Sequence, residues 1–73
     1  MTDFTPMTEL WAEVFEDATI EPTTDFFDLG GSSLEAITLV ERIDKEYNVK
    51  IPLASVFEQS TPAGMAELIE KHQ

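Results

Sequence analysis

Thirteen residues, Thr19 to Gly31, carry no helical period, yet they hold Ile20, Phe26, Phe27 and Leu29 and lie between two strongly helical runs. No other feature constrains the fold so tightly. A loop of this length is unusual in a small domain, and long ordered loops often carry function. Its apolar side chains require it to pack down on the helices. Pro22 and the Gly30-Gly31 pair mark it as turn-rich backbone.

The run before the loop opens at Thr5-Pro6, where Thr5 suits a cap and Pro6 the first helical position. Met7, Leu10, Trp11, Val14 and Phe15 follow at spacings of three and four, which is one helical face. Glu9, Glu13, Glu16 and Asp17 take the other, and the pattern fades near Ala18. The run after the loop begins at Ser32-Ser33, where Ser32 and Glu35 make the capping-box pattern. On a wheel stepped from Leu34, the residues Ala36, Leu39, Val40, Ile43 and Tyr47 fall between roughly 140° and 240°. That stripe is the expected core face. Leu34 lies opposite it, and Ile37 lies on its flank beside Ser33.

Beyond Asn48, Val49-Lys50-Ile51-Pro52 is expected to be extended, because a residue before proline avoids the helical region. Leu53 to Glu58 fits a short helix with Leu53, Val56 and Phe57 inward. A last helix starts at Thr61-Pro62, shows Met65, Ala66, Leu68 and Ile69 on one face, and ends at Lys71-His72. The expected fold is all-α: a small four-helix bundle of three main helices and one short one, with the long loop between helices 1 and 2. With 73 residues there is room for one core, so residues 1–73 read as a single domain.

Charge narrows the partners. Fifteen acidic residues against four basic ones leave a net −11, which disfavours nucleic acid and anionic membranes and favours basic docking surfaces. The chain has no cysteine, hence no disulfide and no thiolate of its own. No apolar run approaches a membrane span. A cytoplasmic monomer is the expectation.

Catalytic chemistry finds little footing. A serine triad needs a base beside its serine, and the single histidine, His72, stands next to last. The phosphate-loop pattern and the G-x-S-x-G elbow are absent. A calcium loop ending at Glu35 would put Thr24 first, Phe26 third and Gly30 seventh, against a required glycine at six. What remains is Asp25 to Leu34. Gly30 and Gly31 permit a sharp turn and close approach, and Ser33 follows in the first turn of a helix. A phosphate joined to that hydroxyl would lie near free N–H groups at the positive end of the helix dipole.

Leu29-Gly30-Gly31-Ser32-Ser33-Leu34, preceded by Asp25-Phe26-Phe27, resembles the attachment motif of peptidyl carrier proteins, the thiolation domains of nonribosomal peptide synthetases. In that family the motif reads LGG-x-S-[LI] after a phenylalanine pair. Leu10-Trp11, Val14-Phe15, Glu46-Tyr47, Ile51-Pro52-Leu53, Val56-Phe57 and Thr61-Pro62 are similar to the family's flanking pattern, so nearly the whole chain is covered. Two positions depart from it. Ser32 stands where His, Asp or Asn is common, and Thr24 stands where an acidic residue is frequent.

The resemblance implies that Ser33 receives 4′-phosphopantetheine from coenzyme A through a phosphopantetheinyl transferase. An adenylation domain or other acyl-loading enzyme then places an aminoacyl or acyl group on the arm's thiol as a thioester. Downstream condensation, tailoring or thioesterase enzymes receive it. The protein would thus be a carrier and not an enzyme, with the thiol belonging to the prosthetic group. Because of Ser32, an acyl carrier of a polyketide or hybrid pathway is an alternative. Met1 and an end just past the last helix fit a free-standing carrier and equally an excised module. The rival from another class is an unmodified acidic helical adaptor.

Other residues divide between packing and contact. Phe26, Phe27 and Trp11 are expected in the core. Ile37 is expected to face partners, and Leu34 either faces them or packs beneath the loop. Glu41, Asp44 and Glu46 read first as a solvated face, and Glu41 joins Leu34 and Ile37 in the candidate partner-facing set.

Overall fold

The computed structural model describes residues 3–72 of the chain. Four helices follow in order: α1 Thr5–Phe15, α2 Ser33–Tyr47, α3 Ala54–Glu58 and α4 Pro62–His72. The described residues contain no strand. Helix α1 packs on both α2 and α4, and α3 packs on α2.

Each long helix buries the stripe expected of it. Met7, Leu10 and Trp11 of α1, Ala36, Leu39 and Ile43 of α2, and Met65 and Ile69 of α4 are buried together. Val14, Phe15, Val40, Tyr47, Ala66 and Leu68 are half-buried against them. Val49 and Ile51 of the extended stretch and Val56 of α3 belong to the same buried cluster. Backbone chemistry sets the ends. Glu16 and Asn48 adopt left-handed φ of 52° and 57° just past α1 and α2, which lets their N–H groups bond back to carbonyls of the last turn. Thr61 Oγ1 accepts the Gly64 N–H at 3.0 Å and so caps α4 as expected.

At α1 the expected cap is displaced. Thr5 is already helical and Phe4 precedes it without a side-chain cap. The carboxylate of Asp3 accepts the Thr5 N–H at 3.0 Å, so the acid upstream does the work assigned to Thr5.

The long loop is held by one ring. Phe26 is wholly buried and packs edge-on against Trp11, Phe15, Phe27 and Phe57, with centroids 5.6 to 6.0 Å apart. Ile20 is buried as well. Two backbone bonds tie this loop to the approach to α4: Phe26 N–H to the Ser60 carbonyl at 2.6 Å, and Ala63 N–H to the Pro22 carbonyl at 2.9 Å. Trp11 Nε1 is buried and finds no hydrogen-bond partner among the described residues. An unmet donor of that kind costs about 1–3 kcal/mol and offsets part of what its ring contributes.

Three expectations about burial are corrected. Phe27 is 57% exposed, not core, and Leu53 and Phe57 are 40% and 38% exposed, not turned inward. Adjacent residues of a tight turn cannot both point into one core, and Phe26 occupies the interior. A helix as short as α3 buries only one narrow stripe, here Ser55 and Val56. Phe27 and Phe57 instead stack on each other at the surface, centroids 6.0 Å apart and planes 25° apart.

Gly31 explains how the ring fits. A Cβ on Gly31 would lie 2.5 Å from two carbons of the Phe26 ring. Gly31→Ala is therefore expected to destabilise the fold by about 1–3 kcal/mol, and Phe26→Ala by about 3–5 kcal/mol. Urea unfolding of both single variants and the double variant checks the cause. With the ring removed, the alanine at position 31 is expected to cost little, whereas an undiminished cost would show that another contact excludes it.

Candidate functional site

The glycine pair, the serine pair and the first turn of α2 form one structural unit. Gly30 has a φ of +72°, a conformation in which a side chain is strained, and no atom lies within 4 Å of where its Cβ would be. The chain thus turns sharply beside open space. Gly31 N–H returns to the Phe26 carbonyl at 3.1 Å, closing the turn. Ser32 is extended, with φ −116° and ψ 179°, and immediately precedes α2.

Ser32 and Glu35 meet as expected. The Glu35 carboxylate accepts the Ser32 N–H at 2.8 Å and also accepts the Ser32 hydroxyl. The hydroxyl bond and then the backbone bond hold Glu35 below its ordinary pKa. Ser32 is therefore occupied with capping, and Ser33, the first residue of α2, presents an exposed side chain. Backbone N–H groups at the head of a helix lack a carbonyl in a preceding turn, so Ser33 and Leu34 offer donors beside that hydroxyl. Open space, an accessible hydroxyl and nearby donors fit a bulky phosphodiester.

The flanking residues settle the question left open for Leu34. It is 69% exposed and does not lie beneath the loop, and Ile37, one turn on, is 46% exposed. Glu41 is exposed further along α2. The stack of Phe27 and Phe57 and the side chain of Leu53 add exposed apolar surface contributed by the loop, by α3 and by the residue just before it. Wheel arithmetic on α2 located Leu34 and Ile37. It had no means of locating Phe27, Leu53 or Phe57, whose segments have no usable period. Their only signal was two adjacent phenylalanines in a turn, where one must face outward.

Charge on α2 is partly committed elsewhere. Arg42 donates from Nη2 to Glu13 of α1 at 2.9 Å and to Glu46 at 2.8 Å. Among the described residues no cluster of His, Cys, Asp and Glu is arranged to hold a metal ion. None of their helices is long and apolar enough to cross a membrane.

These features define a class: a small helical domain that offers one serine at a glycine-hinged helix start. The family model described as "Phosphopantetheine attachment site" matches residues 6–69. Among curated proteins, gramicidin S synthase 2 of Brevibacillus brevis is 47% identical over 55 residues, which is 75% of this chain and 1% of that protein. The chain thus spans only one or two hundredths of the length of the curated relatives it matches. Two solved structures are similar throughout. BlmI, a type-II acyl-carrier protein from Streptomyces verticillus involved in bleomycin biosynthesis, superposes with a TM-score of 0.88 at 26% identity, covering 94% of this chain and 83% of that one. The structure of the phosphopantetheine transferase Sfp with coenzyme A and a peptidyl carrier protein gives a TM-score of 0.87 at 28% identity, covering 93% and 88%. The chain belongs to the phosphopantetheine attachment-site family, and the prosthetic group is 4′-phosphopantetheine.

The cap carries a pH dependence of known sign. A depressed carboxylate stabilises above its ordinary pKa, 4.5 for Glu35, and that stabilisation is lost as pH falls through the lower folded value. An NMR titration is expected to show the Glu35 carboxyl protonating below 4.5, with the Ser32 amide moving at the same midpoint. A Glu35 midpoint at or above that value would mean the cap is not formed in solution.

Proposed function

We propose that Ser33 is the attachment point and that residues 1–73 act as one carrier domain. The observation that carries this is the exposed Ser33 side chain at the first position of α2, beside the open turn at Gly30. When bound, the group supplies a terminal thiol on which an aminoacyl or acyl cargo is held as a thioester. The chain supplies the rest. Ser33 provides the oxygen that is modified, the α2 N-terminus provides donors toward a phosphate, and the exposed surface around them is the address that enzymes read.

Its partners on this reading are a phosphopantetheinyl transferase, an adenylation or other loading enzyme, and downstream condensation, tailoring or thioesterase enzymes, in the cytoplasm. The pathway makes a nonribosomal peptide. A polyketide or hybrid pathway is the second reading, left open by Ser32 at the variable position of the motif. The chain itself performs no turnover. The docking surface is Leu34, Ile37 and Glu41 of α2, extended by Phe27, Leu53 and Phe57. Exposed apolar side chains grouped beside a reactive position are the usual anchors of protein contacts.

Two outcomes are expected. Incubation with coenzyme A, magnesium and a broad-specificity transferase is expected to add one phosphopantetheine, read by intact mass and mapped to Ser33. Ser33→Ala is expected to fold with unchanged helicity and gain no mass, and modification of that variant would refute the assignment. Separately, Ile37→Asp is expected to leave the thermal midpoint within a few degrees while slowing loading by a partner enzyme about tenfold or more, on the scale of a lost interface anchor. A collapse of helicity in that variant would place Ile37 in the core instead.

A further inference from the structure

The attachment turn is not held by α2 alone, and we propose that Asp25 and Ser60 form a latch that positions Ser33 for modification. This rests on Ser33 being the modified residue. Asp25 lies eight positions before Ser33 in the chain, and Ser60 lies between α3 and α4. One carboxylate oxygen of Asp25 accepts the Phe27 N–H at 2.8 Å, and the other accepts the Ser60 hydroxyl at 3.3 Å. The Asp25 carbonyl accepts the Leu29 N–H at 3.2 Å. Ser60 answers from its backbone, its carbonyl accepting the Phe26 N–H at 2.6 Å.

Through these bonds Asp25 and Ser60 grip the backbone on both sides of the Phe26 ring. That ring is the object against which Gly31 is seated. The Phe26 carbonyl also accepts the Gly31 N–H, two residues from Ser33. Contact is therefore continuous from the α3–α4 junction to the first residue of α2. The hydroxyl bond is longer than usual for O–H···O and is the weaker member, so Asp25 is the principal part of the latch. Neither residue touches Ser33, so both are positioning residues. Without the latch the turn samples other orientations while the Phe26 ring stays seated, so the state that a transferase can engage is only partly populated, and apparent affinity falls by that fraction while the chemical step is unaltered.

The test is steady-state kinetics of phosphopantetheine transfer from coenzyme A to the full chain, with melting curves to keep each variant folded at the assay temperature. Asp25→Ala is expected to raise the KM for the carrier about fivefold, the loss typical of a hydrogen bond, with kcat within about twofold. Asp25→Asn keeps an acceptor for Phe27 and a polar partner for Ser60, and is expected to restore the wild-type KM. Ser60→Ala is expected to raise KM about twofold, and adding it to Asp25→Ala is expected to change nothing further. A wild-type KM for Asp25→Ala overturns the latch. So does an Asp25→Asn variant as impaired as alanine, since that would make charge the active property. If Asp25→Ala does not fold, an unchanged KM for Ser60→Ala overturns it. A wild-type chain left unmodified beside a working control carrier would instead refute Ser33 as the site, and the latch would fall with it.

Discussion

The seating of the Phe26 ring against Gly31 sets both the core and the site. The ring fills the space between α1, α3 and the loop, in edge contact with Trp11, Phe15 and Phe57. Its depth is possible only because residue 31 has no Cβ to meet it. From that contact the chain has one residue, Ser32, in which to enter α2 with Ser33 leading. Burying an aromatic side chain is among the larger favourable terms available to a domain of this size. The same energy that closes the core therefore fixes where the hydroxyl stands.

Where the sequence has a clear period, the fold was legible in it. Ala36, Leu39 and Ile43 are buried along the stripe that spacing alone indicated, and Leu34 and Ile37 are exposed off it. The cap of Ser32 by Glu35 could be read because it links residues three apart. Legibility failed where local pattern carries no information. Thr5 lost its cap to Asp3 because two nearby polar residues competed for one helix start. The inward expectation for Phe27 rests on residue type, and that for Leu53 and Phe57 on a helical segment too short to define a face, whereas a turn or a short helix has only one inward side. The pairing of Asp25 with Ser60 spans 35 positions and leaves no trace in any window of sequence.

Electrostatics divide the molecule differently from its net charge. Of the few cations, Arg42 is committed to Glu13 and Glu46 and joins α1 to α2. Exposed pairs of this kind add little stability, but this one offsets one of the two negative charges that it bridges. Around the turn the pattern changes, with exposed Phe27, Leu34, Ile37 and Phe57 among the acidic positions Asp28 and Glu41. A partner meeting this surface gains from apolar contact as well as from charge. Salt would then weaken its approach more than its final hold.

Because Phe26 belongs at once to the loop and to the core, the loop has no independent way to come apart. Proteins often open in segments, and a functional loop is commonly the least stable of them. Here, withdrawing the ring would strip Trp11, Phe15 and Phe57 of a shared neighbour, so the turn and the bundle belong to one cooperative unit. A misfolded copy would present Gly30 to Ser33 as unstructured chain, without the hinged helix start. With Ser33 as the attachment point, acceptance of the prosthetic group would thus double as an inspection of the fold, passing only copies whose interior is already complete.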